Sequence, residues 1–256
     1  MYICIAGKNE CSINAIKTLT KYKINKKYIY VLPNFSDNGR DNWQPSLRRF
    51  ARKNRFKIVK LKELYSIPNL IFFSLEYETI INVDKFRSKK LFNFHFSLLP
   101  KYRGCHTNFL QIFNGEKYSG VTLHKINKGI DTGDIVDQKR FKIKINDTAY
   151  DNYFRIMHCS VKLLKNNVNN ILNSNYSLRK QNLSNGRYYK RSSVDYKKIL
   201  NFNMKKPSLN LHNKIRSLIF PPYQLPYVNG VKVKKSLYKN NKIYLIESFS
   251  NKFKNK

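Results

Sequence analysis

Short apolar runs separated by polar, helix-periodic stretches dominate the first hundred residues. Residues 2–5 form one such run and end in Ala6-Gly7-Lys8-Asn9, after which Ile13, Ile16, Leu19 and Tyr22 recur at the spacing of one helical face. Residues 28–32 predict the next strand, 33–43 a polar loop, 45–54 a short basic helix, and 57–59, 70–74 and 91–96 three further strands. Strands that alternate with helices at this spacing need right-handed crossovers. The expected fold class is therefore α/β, a doubly wound, mostly parallel, Rossmann-like sheet. From 150 to 172, Tyr153, Ile156, Met157, Val161, Leu164, Val168 and Ile171 mark the apolar face of one long helix. Composition then shifts. Residues 173–196 are rich in Ser, Asn, Arg and Tyr, and a helix at 208–217 with short strands near 231–233 and 243–246 predicts a smaller C-terminal α+β region. The expected domains are 1–172, carrying the chemistry, and 173–256, for substrate binding and dimerisation; the lysine-rich end after Ser248 reads as a solvated tail.

The Gly7 turn does not complete G-x-G-x-x-G, because Asn9 and Ser12 stand where further glycines would be needed. A dinucleotide site is disfavoured, which leaves a plain tight turn or a loop that touches a ligand beyond the strand ends.

Composition adds two constraints to this pattern. The 256 residues carry 50 Lys and Arg against 15 Asp and Glu, a net charge of +35. Clustered positive charge would suggest a nucleic-acid partner. Here the lysines are spread over nearly every segment beside abundant Asn, Ile and Tyr, as A/T-rich codon usage produces, so no nucleic acid is expected; the charge still favours an anionic small molecule by long-range steering. Cys4, Cys11, Cys105 and Cys159 show no C-x-x-C pairing, which argues against a disulfide framework or a zinc site and for a reducing compartment. The start runs from a short uncharged segment straight into Lys8, so neither a signal peptide nor a membrane span is expected and the protein reads as cytoplasmic.

Candidate chemistry lies in Phe92-Asn93-Phe94-His95-Phe96-Ser97-Leu98-Leu99-Pro100-Lys101-Tyr102-Arg103-Gly104 and in Gly129-Ile130-Asp131-Thr132-Gly133-Asp134-Ile135. Asn93 and His95 alternate along an apolar run, so a strand points both to one face, and Asp131 opens a Gly-rich turn. An amine attacking a formyl or acyl carbon creates an oxyanion and a proton that must leave nitrogen. Asn93 suits donation to the oxyanion, His95 proton removal, and Asp131 orientation of the imidazole. An isolated N-x-H pair is more often a core histidine beside a strand-end cap; the rigid loop after His95 and the later turn shift the balance toward catalysis. His124-Lys125-Ile126 is expected to begin a strand leading to that turn. His124, His158 and His212 read as packing or surface residues, and His106 as structural in preference to substrate-binding.

At these residues the chain resembles the folate-dependent formyltransferase superfamily, whose pattern is N-x-H-x-S-L-L-P-x-Y-R-G followed by D-T-G-D-I. The resemblance implies Asn93, His95 and Asp131 as the catalytic residues, N10-formyltetrahydrofolate as formyl donor, and no metal. It implies a folate site formed by Phe73, Leu75, Ile80, Asp131 and Asp134. Ala6-Gly7-Lys8-Asn9, Ser74-Leu75-Glu76-Tyr77, Gly186-Arg187-Tyr188-Tyr189 and Phe220-Pro221-Pro222-Tyr223 look like the sugar N-formyltransferase branch. That branch implies a homodimeric enzyme acting on a dTDP-linked amino-dideoxy sugar, foremost dTDP-4-amino-4,6-dideoxyglucose, for O-antigen or other surface-polysaccharide synthesis. The alternatives are a dTDP-3-amino-3,6-dideoxyhexose acceptor or methionyl-tRNA formyl transfer. Lys8 and Asn9 would bind sugar or pyrophosphate, and Glu76 and Tyr77 would line the acceptor side. Arg103 would pair with phosphate or brace its own loop; Tyr223 would stack on a pyrimidine or be a packed corner residue.

Overall fold

The computed structural model describes residues Met1–Ser248, so the tail expected after Ser248 lies outside the described residues. Strands β1 (Tyr2–Gly7), β2 (Ile29–Pro33), β3 (Lys57–Ile58), β4 (Leu70–Leu75) and β5 (Lys90–His95) pair in parallel in the order 3-2-1-4-5. Helix α1 (Asn9–Lys21) connects β1 to β2, and α2 (Leu47–Lys53) connects β2 to β3. After β6 (Arg103–Gly104), α3 (Thr107–Phe113), β7 (Tyr118–Lys125) and β8 (Ile135–Lys142), the last two strands extend the sheet to seven, with β7 antiparallel to β5. The α/β class and its mostly parallel sheet are those expected from the pattern of runs.

Two details differ. His124 is the penultimate residue of β7 rather than the opening of a strand, and β8 was not foreseen. Gly120 interrupts the apolar pattern of β7, and Asp137, Lys139 and Arg140 give β8 the charged character of an edge strand. The remaining elements are α4 (Ala149–Leu172), β9 (Tyr188–Tyr189), α5 (Tyr196–Ile199), β10 (Asn201–Phe202), α6 (Leu209–Ser217), β11 (Tyr227–Val228), β12 (Val231–Lys239) and β13 (Lys242–Glu247).

Packing divides the chain into two units that do not follow a single cut after residue 172. The first comprises Met1–Arg103, Gly120–Arg140 and Ile156–Tyr188; the second comprises Gly104–Ser119, Phe141–Arg155 and the described residues from Tyr189 onward. Long-range packing gathers each unit from three separate segments, a grouping that a composition shift along the chain does not report.

In the first unit β1, β2 and β4 are buried along nearly their whole length, as strands covered on both faces must be. Cys4, Ala6, Tyr30, Leu32, Leu70, Phe72 and Leu91 pack with Val59, Leu64, Ile81 and Phe86 in one cluster. The alternate residues Ile3, Ile5, Ile71, Phe73 and Phe92 are also fully buried, as are Ile16 and Leu19 of α1. Each such side chain contributes about 1.5–3 kcal/mol by leaving water. Gly7 has a geometric reason to be glycine: at φ +152° a Cβ there would stand 1.9 Å from the Leu75 carbonyl oxygen of β4.

The second unit holds the four-stranded sheet β10-β11-β12-β13 and a small core of Ile215, Ile219, Val228 and Val233. His212 on α6 is fully buried, with Nδ1 2.8 Å from Ser236 Oγ and Nε2 2.8 Å from Ile145 O. Arg216 donates to the Asp147 carbonyl at 2.5 Å, and the Asp147 carboxylate takes a bidentate pair from Arg155 at 2.6 and 2.8 Å. His106 sits at φ +61° with Nδ1 3.0 Å from Tyr196 Oη and Nε2 2.8 Å from Arg191 O.

Candidate active site

The register around β5 assembles the site. Ser74 on β4 and His124 on β7 flank Asn93, and Thr122 on β7 stands opposite His95. Period-two alternation therefore sends Asn93, His95, Thr122 and His124 to one face of the sheet. Phe92 and Phe94 go to the other, where the Phe73 ring stacks on Phe92 at 5.6 Å. Asp131 arrives from the turn between β7 and β8. Its Oδ2 lies 3.3 Å from His95 Nδ1, and its Oδ1 accepts from Asn93 Nδ2 at 3.3 Å. The three residues singled out as catalytic thus meet in one cluster.

The Asp131 turn is held from several directions. A Cβ on Gly133 would stand 1.8 Å from the Lys125 carbonyl oxygen, so only glycine lets the turn lie against β7. Lys125 N donates to Asp134 O at 2.9 Å, and Gln181 Nε2 donates to Asp131 O at 3.1 Å and Gly133 O at 2.6 Å. Asp131 itself has φ +55° and Tyr102 has φ +56°. Left-handed backbone at a non-glycine residue costs about 1–3 kcal/mol, and here it falls on the two residues that bracket His95.

His95 Nε2 lies 2.7 Å from the Tyr102 carbonyl oxygen. A carbonyl only accepts, so Nε2 carries the proton and Nδ1 the lone pair, a tautomer assigned from its partner. Burial pushes the His95 pKa below its ordinary value; the Asp131 carboxylate and the Tyr102 carbonyl pull it upward, and His124 adds a further downward push. The outcome is a neutral base beside a carboxylate that stabilises its protonated form. The loop carrying Tyr102 is pinned in turn. Thr122 Oγ1 donates to Ser97 O at 2.7 Å and accepts from Leu99 N at 3.0 Å, Gln138 Nε2 joins Thr122 Oγ1 to Leu99 O at 2.8 and 2.9 Å, and Ser97 Oγ donates to Lys101 O at 2.7 Å.

The other expected site residues are distributed as follows. Phe73 and Leu75 are fully buried, and the Leu75 carbonyl accepts the Ser12 hydroxyl at 3.2 Å; Ile80 is 76% exposed and Asp134 half-buried. Lys8 occupies the N-cap of α1, followed by Asn9 at φ +62°. Glu76 has φ +61° and its carbonyl accepts Asn34 Nδ2 at 2.9 Å, while the Tyr77 ring packs edge-on to Phe72 at 6.3 Å. Arg103 donates through Nη2 to Gly186 O at 3.4 Å, and its Nε is buried without a hydrogen bond. All of these lie in the first unit. Tyr223 belongs to the second, 65% exposed and stacked on Phe220 at 5.4 Å.

Sequence reasoning missed His124, the Tyr102 carbonyl, Thr122, Gln138 and Gln181. The first had a visible signal: Thr122 and His124 alternate with Val121 and Leu123 as Asn93 and His95 alternate with Phe92 and Phe94. Among the described residues no group of three or more His, Cys, Asp or Glu side chains is arranged to hold a metal ion, and no helix is long and apolar enough to cross a membrane.

A carboxamide, a neutral imidazole and a carboxylate thus converge at the end of a parallel strand, the set of groups that acyl transfer to an amine calls for. Comparison with known proteins agrees. Residues 77–168 match the family described as formyl transferase. The structure is similar to that of WlaRD, a sugar 3N-formyltransferase described with dTDP and 5-N-formyl-tetrahydrofolate, at 45% identity and TM-score 0.89, covering 94% of this chain and 87% of that one. It is equally similar to the N-formyltransferase of Helicobacter canadensis in complex with folinic acid and dTDP-3-aminofucose, at 44% identity and TM-score 0.89, covering 94% and 89%. The bifunctional polymyxin resistance protein ArnA of Wigglesworthia glossinidia brevipalpis is 32% identical over 73% of this chain, which spans 28% of that protein's length. Methionyl-tRNA formyltransferases also match, at lower identity than the two sugar enzymes. The chain belongs to the formyltransferase family, in its sugar N-formyltransferase branch.

Proposed function

We propose that the protein transfers the formyl group of N10-formyltetrahydrofolate to the amine of a dTDP-linked amino-dideoxy sugar. The observation that carries this reading is the cluster of Asn93, His95 and Asp131, with His95 Nε2 2.7 Å from the Tyr102 carbonyl oxygen and the basic Nδ1 3.3 Å from Asp131 Oδ2. The residues present fit the folate: exposed Ile80 offers an apolar contact beyond the end of β4, and half-buried Asp134 offers a carboxylate. Phe73 and Leu75, buried as they are, would contribute backbone and support rather than side-chain contact.

The donor supplies the formyl carbon. His95 Nδ1 takes the proton that the attacking amine must lose, and Asp131 Oδ2 stabilises the resulting imidazolium. Asn93 Nδ2 donates to the formyl oxygen as negative charge develops there, an interaction on the order of 2.7–4 kcal/mol where comparable donors have been removed. His95 then returns the proton to the departing nitrogen of the folate, which leaves tetrahydrofolate and a sugar formamide. Lys8, Asn9, Glu76, Tyr77 and Arg103, all of the first unit, are assigned to the acceptor.

The sequence resemblance put the 4-amino sugar foremost, with the 3-amino sugar as an alternative. WlaRD is a sugar 3N-formyltransferase and the Helicobacter canadensis enzyme is bound to dTDP-3-aminofucose, which supports putting the dTDP-3-amino-3,6-dideoxyhexose first and the 4-amino sugar second. Incubating protein and donor with each sugar nucleotide, and reading the mass for a gain of about 28 as one formyl replaces one hydrogen, separates them. Absence of formylated product from every 3-amino and 4-amino sugar tried would refute the proposal. The alternative, formylation of charged initiator transfer RNA, requires binding that weakens steeply with salt. A cytoplasmic homodimer completes the proposal; β13 is an edge strand bearing exposed Tyr244 and Ile246, a surface suited to pairing with a second copy, and light scattering reads the mass directly.

A further inference from the structure

His124 is 2% exposed and stands directly across β5–β7 from Asn93. Its Nδ1 lies 2.7 Å from the Lys125 carbonyl oxygen, which accepts only, so the ring proton sits on Nδ1 and Nε2 presents a lone pair. Asn93 Nδ2 is 3.1 Å from that lone pair and 3.3 Å from Asp131 Oδ1. The two hydrogens of one carboxamide thus have two acceptors, and His124 Nε2 is itself 3.6 Å from Asp131 Oδ1. A flipped Asn93 would set its carbonyl oxygen against a lone pair and a carboxylate at once, with no donor between them. The backbone carbonyl of Lys125 therefore fixes the His124 tautomer, and the tautomer fixes the amide.

We propose that His124 is a positioning residue that holds the Asn93 carboxamide, and through it Asp131, in register for formyl transfer. This rests on the formyl-transfer reading above. Before substrate arrives both Asn93 hydrogens are engaged, so donation to the formyl oxygen requires one to be released. The hydrogen on His124 is the pivot, and the hydrogen on Asp131 is the one that moves. As the amine proton passes to His95 Nδ1, the new N–H draws the Asp131 carboxylate toward His95; Asp131 Oδ1 then gives up the Asn93 hydrogen to the formyl oxygen. One proton moves from amine to imidazole and one hydrogen bond changes acceptor, so base and oxyanion donor act together.

The test uses full-length wild-type protein with His124→Phe, which removes the acceptor, and His124→Gln, which offers an amide oxygen in its place. His124→Phe should lower kcat about 10–100-fold, the range for removal of an orienting partner, with KM for either substrate changed less than about threefold; His124→Gln should recover about tenfold. His95 is faced by Asp131 and His124, and His124 depresses its pKa, so the acid limb of kcat/KM should move to higher pH in His124→Phe. A purely packing role would leave that limb in place. Independently of turnover, ring-nitrogen NMR on 15N-labelled protein should show His124 protonated at Nδ1, and the Asn93 side-chain amide should shift in His124→Phe while thermal stability confirms a folded protein. Protonation at Nε2, or an unmoved Asn93 amide, overturns the proposal even if the enzyme formylates another acceptor. Unchanged kcat and acid limb in a folded His124→Phe overturn it as well, and an inactive wild type with the expected NMR result would count against the formyl-transfer reading alone.

Discussion

Lowering the pH from 7.5 to 5 should destabilise the second unit through one residue, His212. Its neutral ring is matched to its partners: Nε2–H donates to Ile145 O and Nδ1 accepts from Ser236 Oγ, each at 2.8 Å, with the Tyr238 ring stacked at 5.5 Å. Burial, opposed by the hydrogen bond to Ile145 and reinforced by the nearby Arg216 charge, depresses its pKa from 6.5 to about 4. A histidine depressed on folding binds its proton more readily in the unfolded chain. Its contribution is therefore complete above pH 6.5 and is lost as pH falls toward 4. At about 1.36 kcal/mol per pH unit the fully developed loss is about 3 kcal/mol, of which about 2 kcal/mol has accrued at pH 5. Solvent screening trims the figure at pH 5 to about 1–2 kcal/mol. Urea denaturation followed by circular dichroism, with hydrogen exchange of α6 and β12 as the local readout, compares wild type with His212→Gln. That variant keeps a donor and an acceptor without titrating, so the wild type should lose about 1–2 kcal/mol more than the variant over this range. Equal losses in the two proteins would refute the argument, because every other titrating group is common to both.

His95→Asn should reduce kcat by about 10²–10⁴-fold, the usual worth of a positioned base, with sugar-nucleotide affinity by calorimetry little changed; retained turnover would remove His95 from the mechanism. Asp131→Asn should lower the plateau rate and move the acid limb of kcat/KM to lower pH, because His95 loses the carboxylate that raises its pKa; a limb moving upward would contradict the geometry. Gly133→Ala forces a methyl group to within 1.8 Å of the Lys125 carbonyl and should cost about 2 kcal/mol or more in stability, together with most of the activity, by displacing the Asp131 turn. Gln181→Leu deletes the two hydrogen bonds to that turn and should reduce kcat by more than it raises KM, a split that steady-state kinetics reads.

The alternation of Asn93 and His95, the loop from Ser97 to Gly104 and the Gly133 turn were legible from residue order because strand period and turn chemistry are local properties. The same local rules predicted β1 to β5, α1 and α4, since each buries a face whose spacing can be read along the chain. Charge and codon-like composition narrowed the ligand no further than to an anion. What only the tertiary structure decided is which distant residues lie beside that chemistry. The antiparallel register of β7 on β5 sets His124 against Asn93, and the segment after α4 returns Gln181 to the Asp131 turn. The Tyr102 backbone aims a carbonyl at His95 that no side-chain pattern could announce. The grouping of residues 104–119 and 141–155 with the C-terminal segment is of the same kind. Register and long-range packing are fixed by the sum of many weak contacts across the whole chain, whereas periodicity is written into each short segment, and that difference sets what residue order alone discloses.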